Sequence, residues 1–218
     1  MMATYTIRVL NNSVANRSYA IFMAPPVVTA NGAATPVFTN AWAAFTNITD
    51  GAWDSVIYTD KTYAFWGQAL DRLGPGAILD CGGAKPVDTA TADTVTFTNT
   101  GATGFASVTS PGEAQSGSFS IITSTDFTPL NNFVLGLASD NGSPIPSPVA
   151  SFDAQPNEVY NITPVVKFYV TNQYCEAGQV IKPPAQPCQI AEIDFTGRPQ
   201  TAATVVQGSN GEFNLVYA

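Results

Sequence analysis

The chain has 218 residues, 45% of them hydrophobic and only 11% charged, with 16 acidic against 8 basic side chains, a net charge of −8 and a pI near 4.2. Such an apolar content excludes general disorder, and the length suits one β-sandwich or barrel domain spanning residues 1–218. The few cations (Arg8, Arg17, Lys61, Arg72, Lys85, Lys167, Lys182 and Arg198) are scattered, which argues against nucleic acid or an anionic membrane surface as partner, since both need clustered Lys and Arg.

In chain order, Thr4 to Leu10 alternates like a first strand and lacks the basic start, apolar block and cleavage site of a secretion signal. The cytoplasm is therefore the default location. Tyr19 to Met23 reads as a second strand, ended by Pro25-Pro26 because proline cannot donate to a sheet ladder. A Gly/Ala/Thr loop follows. Ser55 to Tyr58 and Thr62 to Gly67 read as strands around Asp60-Lys61, a polar turn of hairpin length, and the next strand is expected at Ala77 to Leu79. Thr94 to Thr98 alternates cleanly, Asn99-Thr100-Gly101 is a turn, and Gly104 to Val108 is its partner. Gly117 to Thr123, Asn132 to Ala138, Val149 to Asp153, Val165 to Thr171, Ile190 to Phe195, Thr204 to Gln207 and Glu212 to Tyr217 complete the set, the last two forming a hairpin around Gly208 to Gly211. Only Asn40 to Asn47 and Ala64 to Arg72 have a helical look, with apolar residues near one-turn spacing. No apolar run approaches the roughly 18 residues that cross a bilayer. The predicted architecture is an all-β, antiparallel, jelly-roll-like sandwich with at most one or two short helices.

Histidine is absent, which removes Ser-His-Asp and Cys-His nucleophile systems and His-ligated metals. The 3 cysteines contain no Cys-x-x-Cys pair, so a structural zinc is not expected, and no phosphate-cradling or nucleophile-elbow motif appears. No catalytic residue, metal ligand or cofactor follows from the residues. A glycosidase would need two facing carboxylates, but no spacing singles out a pair among Glu113, Glu158, Glu176, Glu192 and Glu212. Ser139-Asp140-Asn141-Gly142-Ser143 is dense in oxygen ligands, yet it departs from the calcium-loop pattern and reads first as an Asn-Gly turn. Asn11, Asn16, Asn47, Asn141 and Asn161 open Asn-x-Ser/Thr triplets, which arise by chance in a chain so rich in these residues.

Two features remain. Trp53, beside Asp50-Gly51 and Asp54, is the best exposed aromatic and with Tyr58 could stack a sugar ring, whereas Trp66 lies in an apolar run and reads as core. Cys175 and Cys188 bracket a proline-rich loop, and their pairing would add roughly 3 kcal/mol in the chain-entropy estimate, leaving Cys81 beside Gly82-Gly83 as a candidate intermolecular thiol. Three reduced, buried thiols are the equal alternative.

The segments Thr4 to Ser13, Thr39 to Trp42, Tyr63 to Trp66, Thr96 to Asn99, Gly117 to Ile121, Leu135 to Leu137 and Ala154 to Asn157 stand in the order and spacing of the RhiA-like proteins, which the chain resembles from its start to about Phe168. The cysteine-bearing remainder departs from that pattern. The resemblance implies a common fold and brings no catalytic residues. The chain is also similar in outline, without a residue-by-residue match, to a fungal relative that packs into intracellular crystals, which would imply a vacuole or storage compartment. The reading that follows is a non-enzymatic structural protein that self-associates into homo-oligomers or an ordered assembly. A carbohydrate-binding, lectin-like module using Trp53 and Tyr58 is the alternative.

Overall fold

A computed structural model of the chain describes residues 4–70, 72–182 and 190–218, without the side chain of Asp80. Alternating β-branched and aromatic residues form the strands β1 (Thr4–Asn11), β2 (Arg17–Met23), β3 (Val27–Ala30), β4 (Ala33–Ala34), β5 (Phe38–Thr39), β6 (Ala43–Ile48), β7 (Trp53–Thr59), β8 (Thr62–Ala69), β9 (Leu79–Val87) and β10 (Thr94–Thr98). The second half adds β11 (Gly104–Thr109), β12 (Phe119–Thr123), a single-turn 3-10 helix at Pro129–Asn131, β13 (Phe133–Ser139), β14 (Ser147–Asp153), β15 (Val159–Thr163), β16 (Phe168–Asn172), β17 (Ile190–Ile193), β18 (Ala202–Gln207) and β19 (Phe213–Tyr217). The expected all-β sandwich is the fold of the protein.

The strands form four sheets: sheet I in the order β19-β18-β1-β7, sheet II β17-β16-β2-β6, sheet III β11-β10-β12-β15-β3-β4 and sheet IV β5-β14-β13-β8-β9. The ladders are antiparallel except for β1 with β18 and β10 with β12, which are parallel. Pro25-Pro26 ends β2 as expected, and the chain resumes as β3 in a different sheet. Inner faces meet in pairs. Sheets I and II join through Tyr58 against Phe168 at 4.9 Å and the buried Tyr19 hydroxyl, which donates to Gln207 Oε1 at 2.9 Å. Sheets III and IV join through Phe152 against Tyr160 at 4.7 Å and Phe97 against Phe133 at 5.3 Å. One apolar core, running from Ile7 to Val205, draws on all four sheets.

Two expectations are corrected. Asp60-Lys61 is not a hairpin: β7 pairs with β1, whereas β8 pairs with β13 and β9, so the chain crosses there from sheet I to sheet IV. The crossing is pinned to the end of β13, where Thr59 Oγ1 donates to Asp140 Oδ2 at 3.3 Å and Ser139 Oγ donates to the Lys61 carbonyl at 3.3 Å. The segments with helical spacing are instead β6 and β8. Phe65, Ala69 and Leu73 do share one apolar cluster, but a spacing of four is also even, so it fits a strand face as well as a helix face.

Candidate interaction surface

Sheet I is covered on one face only. In β1, Ile7 and Val9 point into the core, so Thr6, Arg8 and Leu10 point outward. Register places Ile57 opposite Thr6, Trp53 opposite Leu10, and Val206 on the other side of Leu10, with Val216 reached across Thr204. Trp53, Ile57 and Val216 are 54%, 47% and 59% exposed. Arg8 is the one charged residue of this outward set, and its guanidinium lies 4.3 Å above the Trp53 ring in a cation–π contact. A largely apolar face with one cation is thus presented by a chain of charge −8.

The sequence-predicted residues are dispersed around the fold. Trp53 is exposed as expected, but Tyr58 is 4% exposed, between Trp42 and Phe168, so the two do not form a joint sugar platform. Burial drives the Tyr58 phenol far above its ordinary pKa. Trp66 is half-buried, against Phe97 and Phe133. The Cys81 thiol is exposed on β9, an edge strand of sheet IV. Cys175 is buried against Ala20 and Phe22, burial pushes its thiol up to about 11, and among the described residues it has no disulfide partner. Cys188 lies outside the described residues, and so does its proposed pairing.

Polar residues that looked available are mostly structural. Asp140 accepts from the Gly142 amide at 2.9 Å and Asn141 Nδ2 donates to the Trp42 carbonyl at 3.0 Å, within the loop 140–146 that joins β13 to β14 and is longer than the expected Asn-Gly turn. Asn11 is fully buried, with its amide donating to the Ala15 and Ile48 carbonyls, both at 2.8 Å. Asp126 accepts hydrogen bonds from Ser124, Thr98 and the Asn99 and Thr100 amides, which hold its carboxyl far below the usual range and fix the turn after β10. Asp153, raised by burial, and Glu158 line one shallow cleft, but Glu158 already accepts from Asn31 Nδ2 at 2.6 Å. Among the described residues no group of acidic or cysteine side chains could hold a metal ion, and no helix is long and apolar enough to cross a membrane.

A protein-family model described as RhiA matches residues 2–218. The likeness seen in the strand patterns as far as Phe168 therefore extends through the cysteine-bearing C-terminal part, correcting the expected departure there. No curated protein and no solved structure matches the chain significantly.

Proposed function

The chain belongs to the RhiA family, and we propose that it is a non-enzymatic structural protein that associates with copies of itself through the outer face of sheet I. The observation that carries this reading is the exposure of Trp53, Ile57 and Val216 on one sheet face where Arg8 is the only charged outward-pointing side chain among the described residues of its four strands. The occupant is a second copy because two molecules of charge −8 repel each other least where neither presents a carboxylate. Four strands about 4.8 Å apart and some five residues long give a footprint of roughly 350 Å² per copy, below the ~800 Å² per partner of a stable dimer. Weak contact of this size suits an assembly held by many repeated interfaces better than an isolated dimer. A surface rich in Thr, Asn and Gly also loses little side-chain entropy when covered. Such an assembly fits a storage compartment within the cell, and exposed Cys81 offers a place for covalent reinforcement.

Sedimentation velocity over a concentration series, with and without reductant, tests the reading on wild type and on Ile57→Lys/Val216→Lys. Wild type is expected to form species heavier than the monomer that the double variant lacks. Identical sedimentation of both proteins would overturn the assigned face, and loss of association with reductant alone would move the contact to a cysteine.

The lectin-like alternative retains one specific observation, the exposed Trp53 ring. Because Tyr58 faces inward and Arg8 occupies one side of the ring, a sugar would stack on a single open face, which a glycan panel read by tryptophan fluorescence would detect.

A further inference from the structure

At the end of sheets I and II, where β2 begins and β16 and β18 end, a cleft of about 430 Å³ opens between Arg17, Lys182, Asn172, Gln173, Gln207 and Phe213. Two of the 8 basic side chains of an acidic protein meet there, and no described residue lining the cleft is acidic. Neither cation forms an ion pair among the described residues. Arg17 Nε donates to the buried Ser13 Oγ at 3.0 Å, which aims the guanidinium and leaves its terminal nitrogens for the cleft. The carboxylate nearest in sequence, Glu212, instead accepts from Asn210 Nδ2 at 2.7 Å. The floor is rigid. Gln207 is 2% exposed, and its amide accepts from the Tyr19 hydroxyl at 2.9 Å and donates to the Gly211 carbonyl at 3.3 Å.

We propose that this cleft is a binding site for a small polyhydroxylated oxyanion, a sugar carrying a carboxylate or a phosphate. A guanidinium fork and an ammonium supply charge-assisted donors to the anionic group. The Asn172 and Gln173 amides supply both donors and acceptors for hydroxyls, and the half-buried Phe213 ring supplies an apolar wall for the sugar carbons. The volume falls within the ~300–1,000 Å³ of small-molecule sites. Because the net charge of −8 repels anions at long range, affinity must come from contacts inside the cleft and should weaken as salt screens them.

Isothermal titration calorimetry on the full chain, with glucose 6-phosphate, glucuronate and neutral glucose as separate probes, tests this at protein concentrations where sedimentation shows monomer. Saturable binding of one or both anionic sugars, with none for glucose, is expected, and the anion that binds assigns the headgroup. Lys182→Gln and Arg17→Gln should each weaken binding at least tenfold. Absence of saturation by both anions, or binding unchanged in both variants, would overturn the site. Because the readout is taken on the monomer, failure of the self-association reading leaves this result interpretable.

Discussion

Asp126 accepts hydrogen bonds from two hydroxyls and two backbone amides around one turn. Its folded-state pKa lies below the ordinary 3.8, so its contribution to stability is complete above that value and lost as pH falls through the folded one. Asp126→Ala should destabilise the protein equally at pH 7 and pH 5, and the difference from wild type should begin to narrow only below about pH 3.8, as denaturant titrations at pH 7, 5 and 3 would show. Tyr19 carries the opposite sign, its phenol being pushed up to about 12 by burial. The neutral form is favoured by folding, so that contribution holds below the ordinary 10.0 and disappears as pH rises toward 12. Tyr19→Phe removes the donor to buried Gln207 and should cost about 1–3 kcal/mol in urea denaturation at pH 7. At this scale part of the arrangement was legible and part was not. Trp53 and Tyr58 are an odd number of residues apart on one strand, so alternation alone separates them onto opposite faces. Arg17 opens β2 and Lys182 follows Ile181, which packs against Ala20 and Phe22 of β2, so the two line one cleft through tertiary packing that no local pattern in the sequence reports.

The strands were the most legible part of the fold, since alternation and Gly, Pro and Asn punctuation locate β1, β2, β10 and the β18–β19 hairpin directly. Elements whose identity depends on a distant partner were not. β9 runs over Leu79–Val87, through Cys81, two glycines and Pro86, a composition that reads as loop. Its glycines are explained by β8: a Cβ at Gly82 would overlap the Trp66 ring, so that strand can pass beneath the indole only without one. Gly82→Ala should therefore cost about 1–3 kcal/mol by overpacking and shift the Trp66 fluorescence, whereas Gly208→Ala, whose added carbon meets Asn210 Oδ1 at 3.1 Å and the Glu212 carbonyl oxygen at an ordinary 3.9 Å, should cost less. β15 was not picked out from the sequence, because Val159-Tyr160 sets two apolar residues side by side, and its role emerges from its place between β12 and β3. The turn at Asp60-Lys61 is of hairpin length, and only the pairing of β7 with β1 shows it to be a passage between sheets.

For the whole molecule, low charge density and an apolar sheet face act together. The net charge of −8 opposes association at pH 7, and it shrinks as carboxylates protonate on approach to the pI of 4.2. Burial holds Asp153 above the ordinary carboxylate range, while hydrogen bonds hold Asp126 far below it. Self-association should consequently strengthen between pH 7 and pH 5, with the fold intact. The direct measurement is sedimentation velocity of the wild-type protein over a concentration series at pH 7 and pH 5. Species heavier than the monomer that grow with concentration, and grow further at pH 5, are the predicted result. A single monomer at every concentration and both pH values would contradict the account.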